Sequence, residues 1–256
     1  MTASADTHGT DRDDTEDVAL IRRNLQAVHA RIDAACTRAG RSPSEVRLLP
    51  VTKTVPERRI RHAIEAGCTI FGENKVQEAR MKAEALSDLP VRWSVVGHLQ
   101  TNKAKYVARF ASEFQALDSA KIAEALDRRL QIEGRALDVF VQVNSSDEKS
   151  KYGLAPDEVE PFLKLLPRYP ALKVRGLMTL AVLSADHRRV RECFVRLRTL
   201  RDRLRADAPN GVELHELSMG MSGDFEVAIE EGATVIRVGQ AIFGPRLLPD
   251  SYYWPA

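Results

Sequence analysis

The sequence Leu48-Leu49-Pro50-Val51-Thr52-Lys53-Thr54 is an apolar run that ends on a single lysine. Such a run is typical of a buried β-strand, and Lys53 stands where that strand would end. An amine in apolar surroundings loses solvation, which favours the neutral, nucleophilic form that Schiff-base chemistry requires. Taken alone, a lysine at a strand end is more often an ordinary solvated residue, so the interpretation of Lys53 depends on the rest of the chain.

Further strand-like runs follow, and a helical pattern separates each run from the next. The eight predicted strands are residues 46–52, 68–71, 91–96, 114–117, 136–143, 174–178, 212–217 and 234–238. Strands that alternate with helices over about 250 residues predict an α/β fold, here a single (β/α)8 TIM-like barrel. A doubly wound open sheet is the alternative, because periodicity alone does not close a sheet.

The N-terminal region has two parts. Residues 1–16 hold almost nothing apolar, which predicts a disordered acidic N-terminal tail. Apolar side chains then recur every three to four residues and predict an extra helix over residues 17–39, ahead of the first strand. The barrel domain therefore spans residues 17–256, and the aromatic residues Tyr252, Tyr253 and Trp254 are expected to pack across its rim.

Composition argues against several classes of protein. The 38 basic and 36 acidic side chains leave a net charge of +2, so neither nucleic acid nor an anionic membrane is the expected partner. No apolar run approaches the ~20 residues of a membrane helix, and no secretory signal is expected. Cys36, Cys68 and Cys193 lie far apart, which indicates free thiols and a cytoplasmic location. The six histidines lack ligand spacing, so we expect no metal site.

An arginine-rich segment suggests RNA binding as one possible function. Eight arginines lie between Arg188 and Arg205, within a helix predicted over residues 185–205. Most of them fall off the apolar stripe of that helix, and Glu192 and Asp202 interrupt the run. This pattern favours a solvated helix face.

The loops after the last two predicted strands carry the residues that a phosphate site needs. After residue 217, Ser218 and Ser222 offer hydroxyl groups, and the glycines between and beside them allow close backbone approach. After residue 238, Gly239 and Gln240 can supply backbone N–H donors. Either loop alone could be an ordinary turn. Barrels of this class commonly bind phosphate after strands seven and eight, which favours the phosphate interpretation.

A lysine after strand one that faces a phosphate site suggests a phosphorylated aldehyde held as an aldimine. Pyridoxal 5′-phosphate is the candidate cofactor. Arg237 lies just before the second phosphate loop, where it could face the pyridine nitrogen and keep it unprotonated. The alternative for Arg237 is an ion pair inside the barrel.

Several motifs together resemble the pyridoxal phosphate homeostasis proteins (YggS/PROSC type), over about residues 18–244. The motifs are Leu49-Pro50-Val51-Thr52-Lys53-Thr54, Phe71-Gly72-Glu73-Asn74-Lys75-Val76-Gln77-Glu78, Gly97-His98-Leu99-Gln100-Thr101-Asn102-Lys103, Gly176-Leu177-Met178, Leu217-Ser218-Met219-Gly220-Met221-Ser222 and Arg237-Val238-Gly239-Gln240-Ala241-Ile242-Phe243-Gly244. The resemblance implies a barrel like the N-terminal domain of alanine racemase, of fold type III.

The resemblance also implies a role for each candidate residue. Pyridoxal phosphate would be bound to Lys53, with Asn74 near its ring and Arg237 at the ring nitrogen. Phosphate contacts would come from Ser218, Ser222 and the Gly239-Gln240 backbone.

Other positions match the family's pattern less well or have open roles. Val55 replaces a second lysine that many members carry, which removes a reserve amine. Gln240 replaces a common threonine or serine, so only a backbone contact to phosphate remains there. Lys151 matches a lysine proposed to receive the cofactor, yet as sequence it is a solvated loop residue. His98 could border the cofactor or pack behind it.

The resemblance implies a carrier or regulator of pyridoxal phosphate that affects amino-acid pools, without an established reaction. The alternative is an amino-acid racemase or a related enzyme of the same fold type. A racemase of this type needs an acid or base on each face of the substrate carbon, the second from a separate β-domain. No stretch for that domain follows the predicted barrel, so we expect a monomeric carrier without catalytic residues, which makes transient contacts with apo-enzymes.

Overall fold

The computed structural model describes residues 7–146, 148 and 152–245, and for residues 7–13 the backbone alone. Lys151 and the aromatic residues at 252–254 lie outside the described residues. The strands are β1 Arg47–Pro50, β2 Ile70–Glu73, β3 Arg92–Val95, β4 Glu113–Leu117, β5 Leu137–Gln142, β6 Leu172–Met178, β7 Val212–Ser218 and β8 Val235–Val238. The helices are α1 Thr7–Arg38, α2 Glu57–Glu65, α3 Val76–Ala85, α4 Ala104–Phe110, α5 Ala120–Ile132, α6 Val159–Leu165, α7 His187–Arg205, α8 Phe225–Glu230 and α9 Gln240–Phe243.

The eight strands form one parallel sheet in the order β1-β8-β7-β6-β5-β4-β3-β2. A parallel bridge between Val51 and Gly72 joins the two ends of this order, and the Thr52 amide donates to the Gly72 carbonyl oxygen at 2.9 Å. The predicted barrel is therefore confirmed, and the open doubly wound sheet is wrong.

Helix α1 begins ten residues earlier than the predicted start at residue 17, because it starts at Thr7. Acidic side chains in its early turns pair with α2: Asp14 with Arg58, and Asp17 with Arg59 at 2.9 Å. His62 on α2 contacts both carboxylates, with each ring nitrogen 2.8 Å from one of them. The disordered tail expected over residues 1–16 stays a prediction, and these contacts at residues 14 and 17 join α1 to α2.

Helix α7 packs its apolar stripe onto the barrel as predicted, with Val190, Phe194 and Leu197 buried. Two of its arginines also form ion pairs at the end of α8: Arg191 with Glu230 and Glu231, and Arg198 with Glu231. These pairs compete with any anion for the same guanidinium groups. No helix in the described part of the chain is long and apolar enough to cross a membrane.

Ser119 caps α5, with its hydroxyl oxygen accepting from the Ile122 amide. Thr101 and Asn102 lie in a 3-10 turn ahead of α4. The three cysteines are free thiols, as predicted.

Candidate functional site

Lys53 lies directly beyond β1, at the carboxyl end of the barrel, and only 7% of its surface is exposed. The alternative of a solvated strand-end lysine is therefore wrong. Both of its neighbours are fixed by carboxylates. The Thr52 hydroxyl donates to Glu73 Oε1 at 2.6 Å, and the Thr54 amide donates to Glu78 Oε1 at 2.7 Å. Thr54 has a φ of 64°, in the left-handed region that a β-branched residue rarely adopts.

A largely buried ionic cluster next to the turn that carries Lys53 consists of Glu73, Glu78 and Lys82. Lys82 Nζ donates to Glu73 Oε1 and Glu78 Oε1, both at 2.6 Å. Two carboxylates share one ammonium, and Glu73 Oε2 is buried without a hydrogen-bond partner among the described residues. Burial raises the pKa of Glu73 to about 7, which the charge of Lys82 opposes and that of Glu78 reinforces. At neutral pH Glu73 is therefore part-protonated.

The predicted phosphate loops contact each other at Ser222 and Gly239. The Gly239 amide donates to Ser222 Oγ at 3.3 Å. The backbone amides of Ser222, Gly223, Gln240 and Ala241 donate to no protein acceptor in the described ranges. This leaves a group of N–H donors in the two loops, the kind of site that binds a phosphate group.

The second phosphate loop also packs against the strand that carries Lys53. Strands β1 and β8 are paired, and the Val51 amide donates to the Val238 carbonyl oxygen at 2.9 Å. A Cβ atom on Gly239 would lie 3.0 Å from the Val51 carbonyl oxygen, so a glycine permits the close approach. The structure therefore brings the Lys53 segment and the phosphate loops to the same place at the barrel mouth.

Arg237 is buried inside the barrel and is held by neutral oxygens. It donates to Ser218 Oγ at 2.6 Å and to the Thr179 carbonyl oxygen at 2.7 Å. Burial lowers the pKa of Arg237 to about 10, against the opposing charges of Asp224 and Glu113. Arg237 makes no ion pair with a described carboxylate, so the alternative of an interior ion pair is wrong. The group remains cationic at neutral pH.

Ser218 is expected at the phosphate, and the structure shows that its hydroxyl also has partners inside the barrel. Its side chain is fully buried, and its hydroxyl donates to Gln115 Oε1 at 2.6 Å while it accepts from Arg237. From Gln115 the hydrogen bonds continue to Glu113 Oε1 at 2.6 Å, and Glu113 Oε2 accepts from Arg47 at 2.6 Å. A polar chain therefore runs through the barrel from Arg237 to the first residue of β1.

Asn74 and His98 follow β2 and β3 at the same end of the barrel. Asn74 Oδ1 is buried without a hydrogen-bond partner among the described residues, so an acceptor is left for a bound group. Gly97 lies against the Asn74 backbone, where a Cβ atom would be 2.1 Å from the carbonyl oxygen. His98 stacks on the Tyr152 ring at 4.3 Å, and its Nδ1 is 3.7 Å from Asp118 Oδ2.

The predicted residues thus lie on neighbouring elements, and the ionic cluster is the part that sequence reasoning missed. Glu73 and Glu78 both lie in a motif quoted above, and Lys82 follows Glu78 by one helical turn. That spacing is a signal that could have found the pair. The described residues contain no group of three or more His, Cys, Asp or Glu side chains that could hold a metal ion.

Comparison with known proteins agrees with this fold. Residues 23–247 match the family model described as alanine racemase, N-terminal domain. The pyridoxal phosphate homeostasis protein of Aquifex aeolicus (strain VF5) is 41% identical over 222 residues, which cover 87% of this chain and 96% of that protein. The chain belongs to the pyridoxal phosphate homeostasis protein family. The family member from Escherichia coli (strain K12) is 38% identical over 229 residues, covering 88% of this chain and 97% of that one.

A similar solved structure contains a bound ligand. PipY of Synechococcus elongatus PCC7942, solved with pyridoxal phosphate bound, is 36% identical to this chain and superposes with a TM-score of 0.77. The match covers 88% of this chain and all of that one. The two proteins therefore share their fold over nearly the whole barrel.

Proposed function

We propose that this chain binds pyridoxal 5′-phosphate through Lys53 and takes part in pyridoxal phosphate homeostasis as a carrier or regulator. The observation that carries the proposal is the buried Lys53 close to two loops whose backbone amides lack acceptors among the described residues. The Lys53 segment and the second loop meet where Gly239 packs on Val51. The bound ligand of PipY and the names of the relatives support it. When bound, the cofactor supplies an electrophilic aldehyde and a ring that can accept electrons.

Each part of the cofactor has a matching group in the site. The Lys53 amine would hold the aldehyde carbon, and the amides after β7 and β8, with Ser222, would hold the phosphate. Arg237 would face the ring nitrogen, and Asn74 would lie near the ring. An amine, a cluster of N–H donors, a guanidinium and an orphan amide oxygen suit a phosphorylated pyridine aldehyde.

Arg237 favours holding the cofactor over using it in catalysis. With a pKa near 10, its guanidinium stays charged and cannot pass a proton to the ring nitrogen at neutral pH. A ring nitrogen kept unprotonated is a weaker electron acceptor, which slows reactions at an amino-acid carbon. Ser218 would act on the cofactor through Arg237, because its hydroxyl is already used within the barrel.

The decisive experiment is borohydride reduction of the purified protein after incubation with pyridoxal 5′-phosphate, followed by peptide mass spectrometry. We expect a pyridoxyl adduct on Lys53 and none in Lys53→Arg. Lys75→Arg is the matched control, since Lys75 is an exposed lysine beyond the next strand. An adduct that persists in Lys53→Arg, or a protein that forms none, would contradict the proposal.

The carrier and racemase hypotheses predict different behaviour of the protein loaded with pyridoxal 5′-phosphate. Incubation with single enantiomers of alanine, serine or lysine should leave their optical purity unchanged, and turnover at enzyme-like rates would favour the racemase. Mixing with an apo-enzyme should restore its activity faster than free cofactor does. Recovery at the rate of free cofactor would contradict delivery.

We infer further that the protein works as a monomer in the cytoplasm. Its free thiols support a reducing compartment. Analytical ultracentrifugation of the loaded and unloaded protein tests the oligomeric state, and a dimer that forms at micromolar concentration would contradict this inference.

A further inference from the structure

The ionic cluster of Glu73, Glu78 and Lys82 holds the chain on both sides of Lys53. On one side, Lys82 Nζ donates to the Thr52 carbonyl oxygen at 2.7 Å, and Glu73 accepts from the Thr52 hydroxyl at 2.6 Å. On the other side, Glu78 accepts from the Thr54 amide at 2.7 Å. The cluster therefore fixes both residues that flank Lys53 in the sequence.

Lys82 has no donor left for any other partner. An ammonium group carries three N–H donors, and Lys82 directs them at Thr52 O, Glu73 Oε1 and Glu78 Oε1 at 2.6 to 2.7 Å. Its side chain is 10% exposed, and that of Glu73 is fully buried. Short, charge-assisted bonds in a site shielded from water fix the geometry of their partners.

The backbone at Thr54 shows that this geometry is imposed. A φ of 64° places a β-branched residue in the left-handed region, which it rarely occupies without external restraint. The bond from the Thr54 amide to Glu78 supplies such a restraint. Without it, the turn that carries Lys53 could relax to a more common conformation.

We propose that Glu73, Glu78 and Lys82 are positioning residues for Lys53, which hold the turn at residues 52–54 so that the amine meets a ligand aldehyde in a fixed orientation. The proposal rests on the proposed function, because it assigns to these residues the presentation of the Lys53 amine. It separates two properties of the site. The phosphate loops determine whether a phosphorylated pyridine binds, and the cluster determines how fast Lys53 bonds to it.

The test compares Glu78→Ala, Glu78→Gln and the control Glu84→Ala. Glu84 lies on the same helix, and its side chain is 66% exposed. Glutamine keeps an acceptor for the Thr54 amide, whereas alanine removes it. One measurement is the rate at which borohydride traps pyridoxal 5′-phosphate on Lys53. The other is the affinity for pyridoxine 5′-phosphate, which has the same phosphate and ring but no aldehyde.

We expect Glu78→Ala to slow trapping on Lys53 by about tenfold or more, since small displacements of a reacting group cost this much. Its affinity for pyridoxine 5′-phosphate should match the wild type. Glu78→Gln should recover trapping to within about threefold of the wild-type rate, and Glu84→Ala should equal the wild type. Thr54→Gly is a second variant that keeps the fold while it loosens the turn, and it should also slow trapping.

Two results would overturn the positioning role: wild-type trapping in both Glu78→Ala and Thr54→Gly, or an equal loss of trapping and of pyridoxine 5′-phosphate affinity. The second result would mean that the cluster only maintains the fold. A wild-type protein that forms no adduct on Lys53 refutes the proposed function instead. Circular dichroism of each variant identifies a chain that has not folded, in which case Thr54→Gly decides.

Discussion

Arg237 donates a hydrogen bond to Ser218 Oγ at 2.6 Å, so the guanidinium expected at the ring nitrogen is held by a serine expected at the phosphate. The two residues belong to neighbouring strands, β8 and β7. Ser218 in turn depends on Gln115 for its own orientation. The site therefore contains a supporting layer inside the barrel, which the contacts of the mouth residues alone do not reveal.

The first prediction concerns that support. Ser218→Ala leaves an Arg237 N–H and Gln115 Oε1 buried without partners, so we expect the free energy of unfolding to fall by about 1–3 kcal/mol. Urea unfolding measures the change. Ser112→Ala is the control, because the Ser112 hydroxyl donates to the Trp93 carbonyl oxygen at 3.2 Å in a part-buried place. The free energy of unfolding of Ser112→Ala should fall by less than about 1 kcal/mol. Equal decreases in the two variants would contradict the prediction.

The second prediction concerns the pH dependence of stability. Burial raises the pKa of Glu73 from 4.5 to about 7, so the folded protein binds this proton more tightly than the unfolded chain does. The free energy of unfolding should therefore fall as the pH rises from 4.5 to about 7, and Glu73 should contribute at most about 3 kcal/mol to this fall. Glu73→Gln cannot titrate and should show a flatter curve. Urea unfolding between about pH 5 and pH 8 measures both curves.

The matched control for this experiment is Glu84→Gln, which removes an exposed carboxylate from α3. It should keep the wild-type slope of stability against pH. A Glu73→Gln curve with that same slope would show that Glu73 does not titrate in this range.

The third prediction concerns Thr54. Replacing it by glycine removes the steric cost of a φ of 64°, at the expense of more freedom in the unfolded chain. For a β-branched residue the steric cost exceeds the cost of a more flexible unfolded chain. Thr54→Gly should therefore raise the free energy of unfolding by up to about 1 kcal/mol. Thermal unfolding tests this, and a destabilised variant would mean that the threonine side chain contributes more than its backbone costs.

The fourth prediction concerns helix α1, which contacts the second phosphate loop. Asn24 Nδ2 donates to the Ile242 carbonyl oxygen at 2.8 Å, on the short helix α9. Losing one such bond is worth about 0.5–1.5 kcal/mol, so Asn24→Ala should weaken pyridoxine 5′-phosphate binding by about two- to tenfold. Isothermal calorimetry measures the affinity.

Arg38→Ala is the control for this contact, because Arg38 also lies on α1 but pairs with Glu230 on α8 at 2.8 Å. Its affinity for pyridoxine 5′-phosphate should equal that of the wild type. Similar losses in both variants would indicate that α1 acts through the stability of the whole fold and not through α9.

The barrel was predictable because its strands are separated by regular helical patterns, and buried parallel strands read as apolar runs. Closure was not predictable, because the bridge from Val51 to Gly72 lies at strand ends, where periodicity carries no information. The start of α1 was predicted too late for a related reason. Asp14 and Asp17 on α1 pair with residues of α2, and a pattern based on apolar residues does not detect ion pairs.

In the candidate site, too, some residues could be predicted from the sequence and others depend on contacts between distant segments. Lys53, Ser222 and Gly239 could be found because each follows a strand, and the carboxyl ends of barrel strands meet at one face. The hydrogen bonds of Ser218 to Gln115 and Arg237 were not predicted, because the sequence does not show which distant side chains meet a residue at a strand end. Lys82 was missed because its contacts to Thr52 and Glu73 join segments about 30 and 9 residues apart, which only the folded chain brings together.

The bridge between Val51 and Gly72 is the whole of the backbone ladder described between β1 and β2, whereas β5 and β6 share six paired positions. Amide protons near this seam should exchange with solvent sooner than those of the β5–β6 ladder, because fewer bonds must break to expose them. Lys53 lies two residues beyond the seam. Closing of this seam would then favour retention of a vitamin B6 derivative, and its local opening would favour release.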